Sequence, residues 1–256
     1  MQLDQGNSRQ RHTGRADYGF DGSPAGVVTM AAAGLALVGL AQRSRQRRQW
    51  CATAAWGLRG AATLAVVALY VHATRRGKFT LWAEILDGLV LRGDERVLDV
   101  GCGRGAVLVL AAKRLPTGHA VGLDRWTADQ SGNRPAATRR NLEVEAVAGR
   151  CHLVTGDMLA LPFADGTFDL AVSGLAVHNV GRRPSRPGSN PLRALDEVVR
   201  VLAPGGRMAI VDLFGVPSYA RHLAERGMAE VSVRALGWRV RFAPGVAARL
   251  VTARKP

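Results

Sequence analysis

A small set of residues around position 100 has the types and spacing to do chemistry on a nucleotide-like cation. In VLDVGCGRGAVLVLAA (residues 97–112) an apolar run breaks into Gly101, Gly103 and Gly105 and then turns apolar again at helical spacing, with Asp99 just ahead of the first glycine. Glycines allow a tight turn and a close approach that a Cβ would prevent. A dinucleotide fingerprint is spaced G-x-G-x-x-G and seats a pyrophosphate on a helix N-terminus. This chain reads G-x-G-x-G and sets the Asp99 carboxylate beside the turn, which disfavours an anion and suits a cationic ligand. Asp124, nineteen positions after Gly105 at the end of AVGLD (residues 120–124), is placed to accept both hydroxyls of a ribose.

Further candidates follow downstream. In SGLAVHNV (residues 173–180) His178 falls just past a predicted strand end and, as a group that titrates near neutral pH, is a candidate base or substrate-orienting residue. The bland alternative is a ring bonded to a nearby carbonyl. Asp212, ending another predicted strand, is the second candidate. Trp126, two residues after Asp124, either covers an adenine or a substrate, or packs under its own loop. Asn133 reads as a helix N-cap, with Pro135 in the first turn.

The elements that would position these residues are strand, glycine turn and helix at 96–112, then alternating strands and helices to the end of the chain, which predicts an α/β sheet. VTGDMLALPFADGTFDLAVS (residues 154–173) holds a strand end and an Asp-Gly turn into the next strand; ALDEVVRVLAPGGRMAIVDL (residues 194–213) holds a helix, a Pro-Gly-Gly turn and a strand. With these motifs in this order, roughly residues 80–256 resemble the class I S-adenosylmethionine-dependent methyltransferases, of the bacterial membrane-anchored ubiquinone/menaquinone methyltransferase-like kind. The resemblance implies a Rossmann-like sheet with helices on both faces and S-adenosylmethionine as cofactor. It implies that Asp99, Gly101, Gly103 and Gly105 line the methionine end, Asp124 holds the ribose, and Asp157 with the Met158 backbone reads the adenine; Trp126 and Ser173 fall on the cofactor side as well. It further implies methyl transfer to a small or lipid-like acceptor, quinone-type acceptors included. The alternatives are a soluble small-molecule methyltransferase with a helical cap and a non-catalytic S-adenosylmethionine-binding protein.

Composition narrows the partners. The 256 residues carry a formal net charge of +15, which favours acidic surroundings, nucleic acid or an anionic membrane face. Site chemistry does not support nucleic acid: there is no Asn/Asp-Pro-Pro-Tyr/Phe turn after the fourth strand and no Pro-Cys nucleophile. Cys51, Cys102 and Cys151 are far apart, which fits a reducing compartment and neither zinc nor an iron-sulfur cluster; no metal site is expected.

The chain divides into a flexible polar arm (1–24), a transmembrane or interfacial helical hairpin (25–73) and the methyltransferase domain (74–256). Residues 25–41 are uncharged and reach the lower limit for spanning a bilayer. QRSRQRRQ (residues 42–49) separates them from a second apolar stretch that carries Arg59, costly at a bilayer centre. A transmembrane or interfacial hairpin with the catalytic domain in the cytoplasm, at a bacterial inner membrane, is the expectation.

Overall fold

Seven strands form one sheet in the order β3-β2-β1-β4-β5-β9-β6, where β1 is Arg96–Val100, β2 His119–Asp124, β3 Cys151–Thr155, β4 Phe168–Gly174, β5 Leu202–Asp212, β6 Ala229–Ala235 and β9 Arg249–Arg254. The computed structural model describes residues 15–21, 24–127, 130–180, 190–237, 240–243 and 246–256. Neighbours pair in parallel except for β9, which runs antiparallel to β5 and β6. The chain enters at β1, moves outward to β3, and returns to β4 on the other side of β1. Strand order therefore reverses between β1 and β4, leaving a crevice beyond their carboxyl ends.

A period of two sorts the strand side chains between two apolar layers. Val97, Leu170, Val172, Ala209 and Val211 face the layer of α3 (Lys78–Gly88) and α4 (Ala106–Ala112). Leu98, Ala171, Met208 and Ile210 face α6 (Pro191–Val201) and α7 (Val216–Glu225). Leu98, Leu108, Leu170 and Leu195 are wholly buried, each contributing about 1.5–3 kcal/mol. The same alternation fixes the polar strand ends: Asp99 falls on the α4 face, Ser173 and Asp212 on the α6 and α7 face.

Ahead of the sheet, α1 (Pro24–Gln46) and α2 (Trp50–His72) form an antiparallel hairpin. Its seam is close because Gly34 lies under Leu64 and Gly60 under Val38; a Cβ at either glycine would come within 2.9 Å of those side chains. The outer faces are bare. Gly60 is the one buried residue of α2, and Val28, Leu35, Trp50 and Leu58 are exposed. By length and composition both helices are sufficient to cross a membrane. A π-helical turn, Ala73–Gly77, carries α2 into α3 without a break, so the boundary expected at 73/74 lies inside one continuous helix from Trp50 to Gly88. Such a turn rephases the helix faces, and Lys78, Leu81, Trp82 and Ile85 of α3 turn inward together. A two-stranded ribbon, β7 (Arg241–Ala243) with β8 (Val246–Ala247), packs against α2.

Two expectations change. Of the polar arm, residues 1–14, 22 and 23 lie outside the described residues, but 15–21 form a strap over the domain and not a free arm. The Asp17 N–H donates to Asn141 Oδ1 at 2.9 Å, Arg104 pairs with the Asp17 carboxylate at 2.8 Å, and the Phe20 N–H donates to Ser131 Oγ at 2.8 Å. Polar composition alone does not reveal such a docking, because the partners lie more than eighty residues away. At α5 (Pro135–Val144), Pro135 opens the helix as expected, but the N-cap is Arg134, in extended backbone. Asn133 instead turns its amide to Asp124 Oδ1 and the Thr127 carbonyl.

Candidate active site

The glycine turn closes β1 onto β2: the Gly101 and Cys102 N–H groups both donate to the Leu123 carbonyl, at 2.8 and 3.1 Å. Gly101, at φ +73°, leaves no room for a Cβ because Ala176 occupies that space, and Gln130 fills the space beside Gly103. The chain's own side chains therefore lie against these glycines from one side, while a cavity of about 510 Å³ opens on the other. Asp99, Gly101, Cys102, Gly103, Asp124, Asp157 and Met158 all line it. Gly105, at φ +82°, caps α4 against Thr138 and lies outside the lining.

Asp99 is 1 % exposed and neither carboxylate oxygen has a hydrogen-bond partner. Burial outweighs the pull of the nearby Leu108 backbone N–H, which makes no bond of normal geometry, and with the Asp124 carboxylate adding to it pushes its pKa up to about 8. A buried carboxyl without a donor awaits a cationic or hydrogen-bonding ligand, since leaving it unmatched is costly. Asp124 is more occupied. Its Oδ2 accepts the Gly103 N–H at 2.8 Å, and its Oδ1 accepts the Trp126 N–H at 2.6 Å and the Asn133 amide at 3.2 Å. It thus ties the glycine turn to the loop after β2 while still facing the cavity. Asp157 Oδ1 accepts the Leu159 N–H at 3.0 Å, shaping its own turn, and Arg125 lies 3.6 Å from Oδ2.

Besides Gly105, four of the predicted residues, Trp126, Ser173, His178 and Asp212, stand away from the cavity wall. The Trp126 indole donates to Thr155 Oγ1 at 2.8 Å and is not part of the lining, so it packs along the strand ends. Ser173 is buried and its hydroxyl donates to the Val100 carbonyl at 2.7 Å, bolting β4 to β1. The His178 ring also points away: its Nδ1 bonds Asp212 Oδ1, its backbone N–H donates to Asp212 Oδ2 at 2.8 Å, and Phe214 packs against its ring. The reason is the alternation of β5, where Val211 faces the cavity and Asp212 the α7 side, with the Tyr219 hydroxyl 3.4 Å from Asp212 Oδ2. His178 and Asp212, two separate candidates in the sequence, are one buried pair. What reaches the cavity from this segment is Leu175, Ala176, Asn179 and Val180.

Sequence reasoning missed the opposite wall. Lys78, Leu81 and Trp82 of α3, Asp21 of the strap, Gln130, and Val240 with Ala248 flanking the β7–β8 ribbon complete the lining. A signal for part of it existed: 78, 81, 82 and 85 are one helix face by spacing, and Lys78 is the charge on it. Gln130 is the hub, with Oε1 accepting the Arg104 N–H at 2.8 Å and Nε2 donating to the Tyr18 carbonyl at 3.1 Å and to Asp21 Oδ1 at 3.2 Å.

Residues 98–210 match the family described as "Methyltransferase domain". Over 149 residues the chain is 36% identical to the ubiquinone/menaquinone biosynthesis C-methyltransferase of Roseobacter denitrificans, covering 58% of this chain and 54% of that protein. Over 117 residues it is 36% identical to the chloroplastic 2-phytyl-1,4-beta-naphthoquinone methyltransferase of Arabidopsis thaliana, covering 45% of this chain and 41% of that one. The chain thus spans about half the length of the curated relatives it matches. Among solved structures, geranyl diphosphate C-methyltransferase from Streptomyces coelicolor superposes with a TM-score of 0.55 at 18% identity, over 75% of this chain and 84% of that one. The sheet order, the cavity at the reversal of strand order and these likenesses agree: residues 98–210 match a methyltransferase domain, and the chain has the Rossmann-like fold of S-adenosylmethionine-dependent methyltransferases.

Proposed function

We propose that the chain transfers a methyl group from S-adenosylmethionine to a small, apolar, quinone-type acceptor that reaches the site from a membrane. One observation carries the reading: a buried, unpartnered Asp99 carboxylate faces a cavity whose opposite wall is the C-terminal part of the helix that begins as the exposed apolar α2. The relatives named for quinone biosynthesis support the acceptor class, and the two bare apolar helices support the membrane. The domain would lie on the cytoplasmic side, its basic surface against anionic lipid.

The residues present suit the cofactor. Asp99 offers a carboxylate to its cationic end, the glycine turn gives close access to backbone, and Asp124 and Asp157 stand at the strand ends where an adenosine would be read. When bound, the cofactor supplies an electrophilic methyl on a sulfonium, and transfer is an in-line displacement. The chain then has to align the acceptor and keep water out. Leu81, Trp82, Leu175, Val180, Val240 and Ala248 form an apolar chamber for that purpose. Asp212 fixes His178, and His178 fixes the 175–180 segment against that chamber. We assign His178 an orienting role on this basis.

The test uses the full chain in membranes with methyl-tritiated S-adenosylmethionine. Label should appear in the lipid extract, and the chain should stay with the membrane through carbonate washing. Label confined to water-soluble products overturns the acceptor class; release by carbonate overturns the spanning hairpin and leaves a surface-bound anchor, and a chain that never sediments with membranes leaves the helical-cap alternative.

A further inference from the structure

Among the described residues lining the cavity, two are cations. Arg125 sits at the Asp157 end and its side chain is 55% exposed; Lys78 sits on the α3 wall and its side chain is 10% exposed. Lys78 Nζ lies 3.1 Å from both oxygens of Asp21. Asp21 in turn accepts from Gln130, and Gln130 holds the Arg104 N–H of the glycine turn. A short chain of hydrogen bonds therefore runs from Lys78 to the turn that carries Asp99's neighbours. On the cofactor reading above, adenosine recognition falls on Asp124 and Asp157.

An α-amino acid group presents a cation and a carboxylate together. Burying it requires an acceptor for the first and a charged donor for the second, because an unmatched buried charge is expensive. Asp99 is an acceptor with no donor. The buried donor lining the same cavity is Lys78, on the α3 wall, and the side chain now paired with it is itself a carboxylate. Building on the cofactor reading above, we propose that Lys78 binds the carboxylate of the cofactor's methionine end, and that Asp21 of the 15–21 strap occupies Lys78 in its absence. The strap is thus a competitor in cis: cofactor entry exchanges one carboxylate for another on the same ammonium, and Asp21 is freed to move with the strap.

Two ligands separate this from a general weakening of the site. S-adenosylhomocysteine carries the amino acid group; 5′-methylthioadenosine keeps the adenosine and the sulfur and lacks it. By calorimetry on the full chain in detergent, Lys78→Met should weaken S-adenosylhomocysteine about tenfold or more, as expected for loss of a charge-assisted bond, and leave 5′-methylthioadenosine unchanged. Unchanged 5′-methylthioadenosine binding also shows that the variant is folded. Lys78→Arg should restore most of the loss, and Asp21→Asn should tighten S-adenosylhomocysteine alone. Equal losses for both ligands, or no loss for either, overturn the assignment; weaker S-adenosylhomocysteine binding by Asp21→Asn overturns the competition. A wild-type chain that binds neither compound overturns the cofactor reading, and the assignment with it.

Discussion

Replacing Asp99 by Asn should stabilise the ligand-free protein and cripple its cofactor site, and the size of the first effect follows from the burial of one carboxyl. In the folded chain Asp99 titrates at about 8, driven chiefly by burial, against an ordinary 3.8. Between those values the folded protein holds a proton that the unfolded chain has released, so the group's contribution to stability falls as pH rises from about 4 to about 8. At about 1.36 kcal/mol for each pH unit, this amounts to about 4 kcal/mol by pH 7. Asn has nearly the same shape and no proton to lose, so the variant escapes this penalty. Urea denaturation of the full chain in detergent, followed by near-ultraviolet circular dichroism at pH 5, 6, 7 and 8, should show the variant gaining on the wild type by about 1.3 kcal/mol per unit between pH 5 and 7 and levelling above pH 8. Pairing with a ligand cation favours the ionised form, so S-adenosylhomocysteine binding to the wild type should release a proton below pH 8 and tighten as pH rises, and the variant should lose both the proton release and most of the affinity. A stability difference that is flat across this range, or a wild type that binds without releasing protons, refutes the reasoning.

Other substitutions probe the turn and the segment beside it. Gly101→Val drives a Cβ into Ala176 at a left-handed backbone position, and should cost about 2–4 kcal/mol in denaturation, part of it recovered in the double variant with Ala176→Gly; wild-type stability for Gly101→Val would mean the 175–180 segment yields freely. Asp124→Ala removes the acceptor of the Gly103, Trp126 and Asn133 donors, so it should lower the melting temperature and the S-adenosylhomocysteine affinity together. Calorimetry showing intact affinity would clear Asp124 of any part in the cofactor site. His178→Gln should reduce turnover by no more than about tenfold and keep the shape of the pH profile, since the ring is assigned to orienting the segment; a loss of about 10²–10⁴-fold with an altered profile would establish proton transfer instead.

The strands were legible because their signals are local. Arg96–Val100 and His119–Asp124 appear at the places that the apolar runs predict, and the Asp165-Gly166 turn does precede β4. The two apolar segments likewise become α1 and α2 with nearly the expected limits. What the sequence concealed was set by contacts far apart in the chain. Tyr18 donates to Glu145 at a separation of 127 residues, and nothing in the polar run around it marks that partner. His178 and Trp126 carried the right chemistry for a site, yet which way each side chain turns depends on strand alternation and on Asp212 or Thr155, none of which is readable from its own neighbours. Lys78 was hidden for a different reason: its helix face is plain in the spacing, but the apolar context drew attention to the membrane and away from the one charge.

The strap also has a place in time. Its partners on α2 and α3, Tyr70 and Lys78, are made soon after it, whereas those in the domain, from Arg104 to Glu145, are made much later. At roughly 5–20 residues per second, some 6–25 s separate the synthesis of Tyr18 from that of Glu145. During that interval the apolar hairpin can close while the strap has only the helix from Trp50 to Gly88 to grip. A segment made early is then among the last to finish docking, and the nascent domain passes through a stage in which its cavity stands without its full cover.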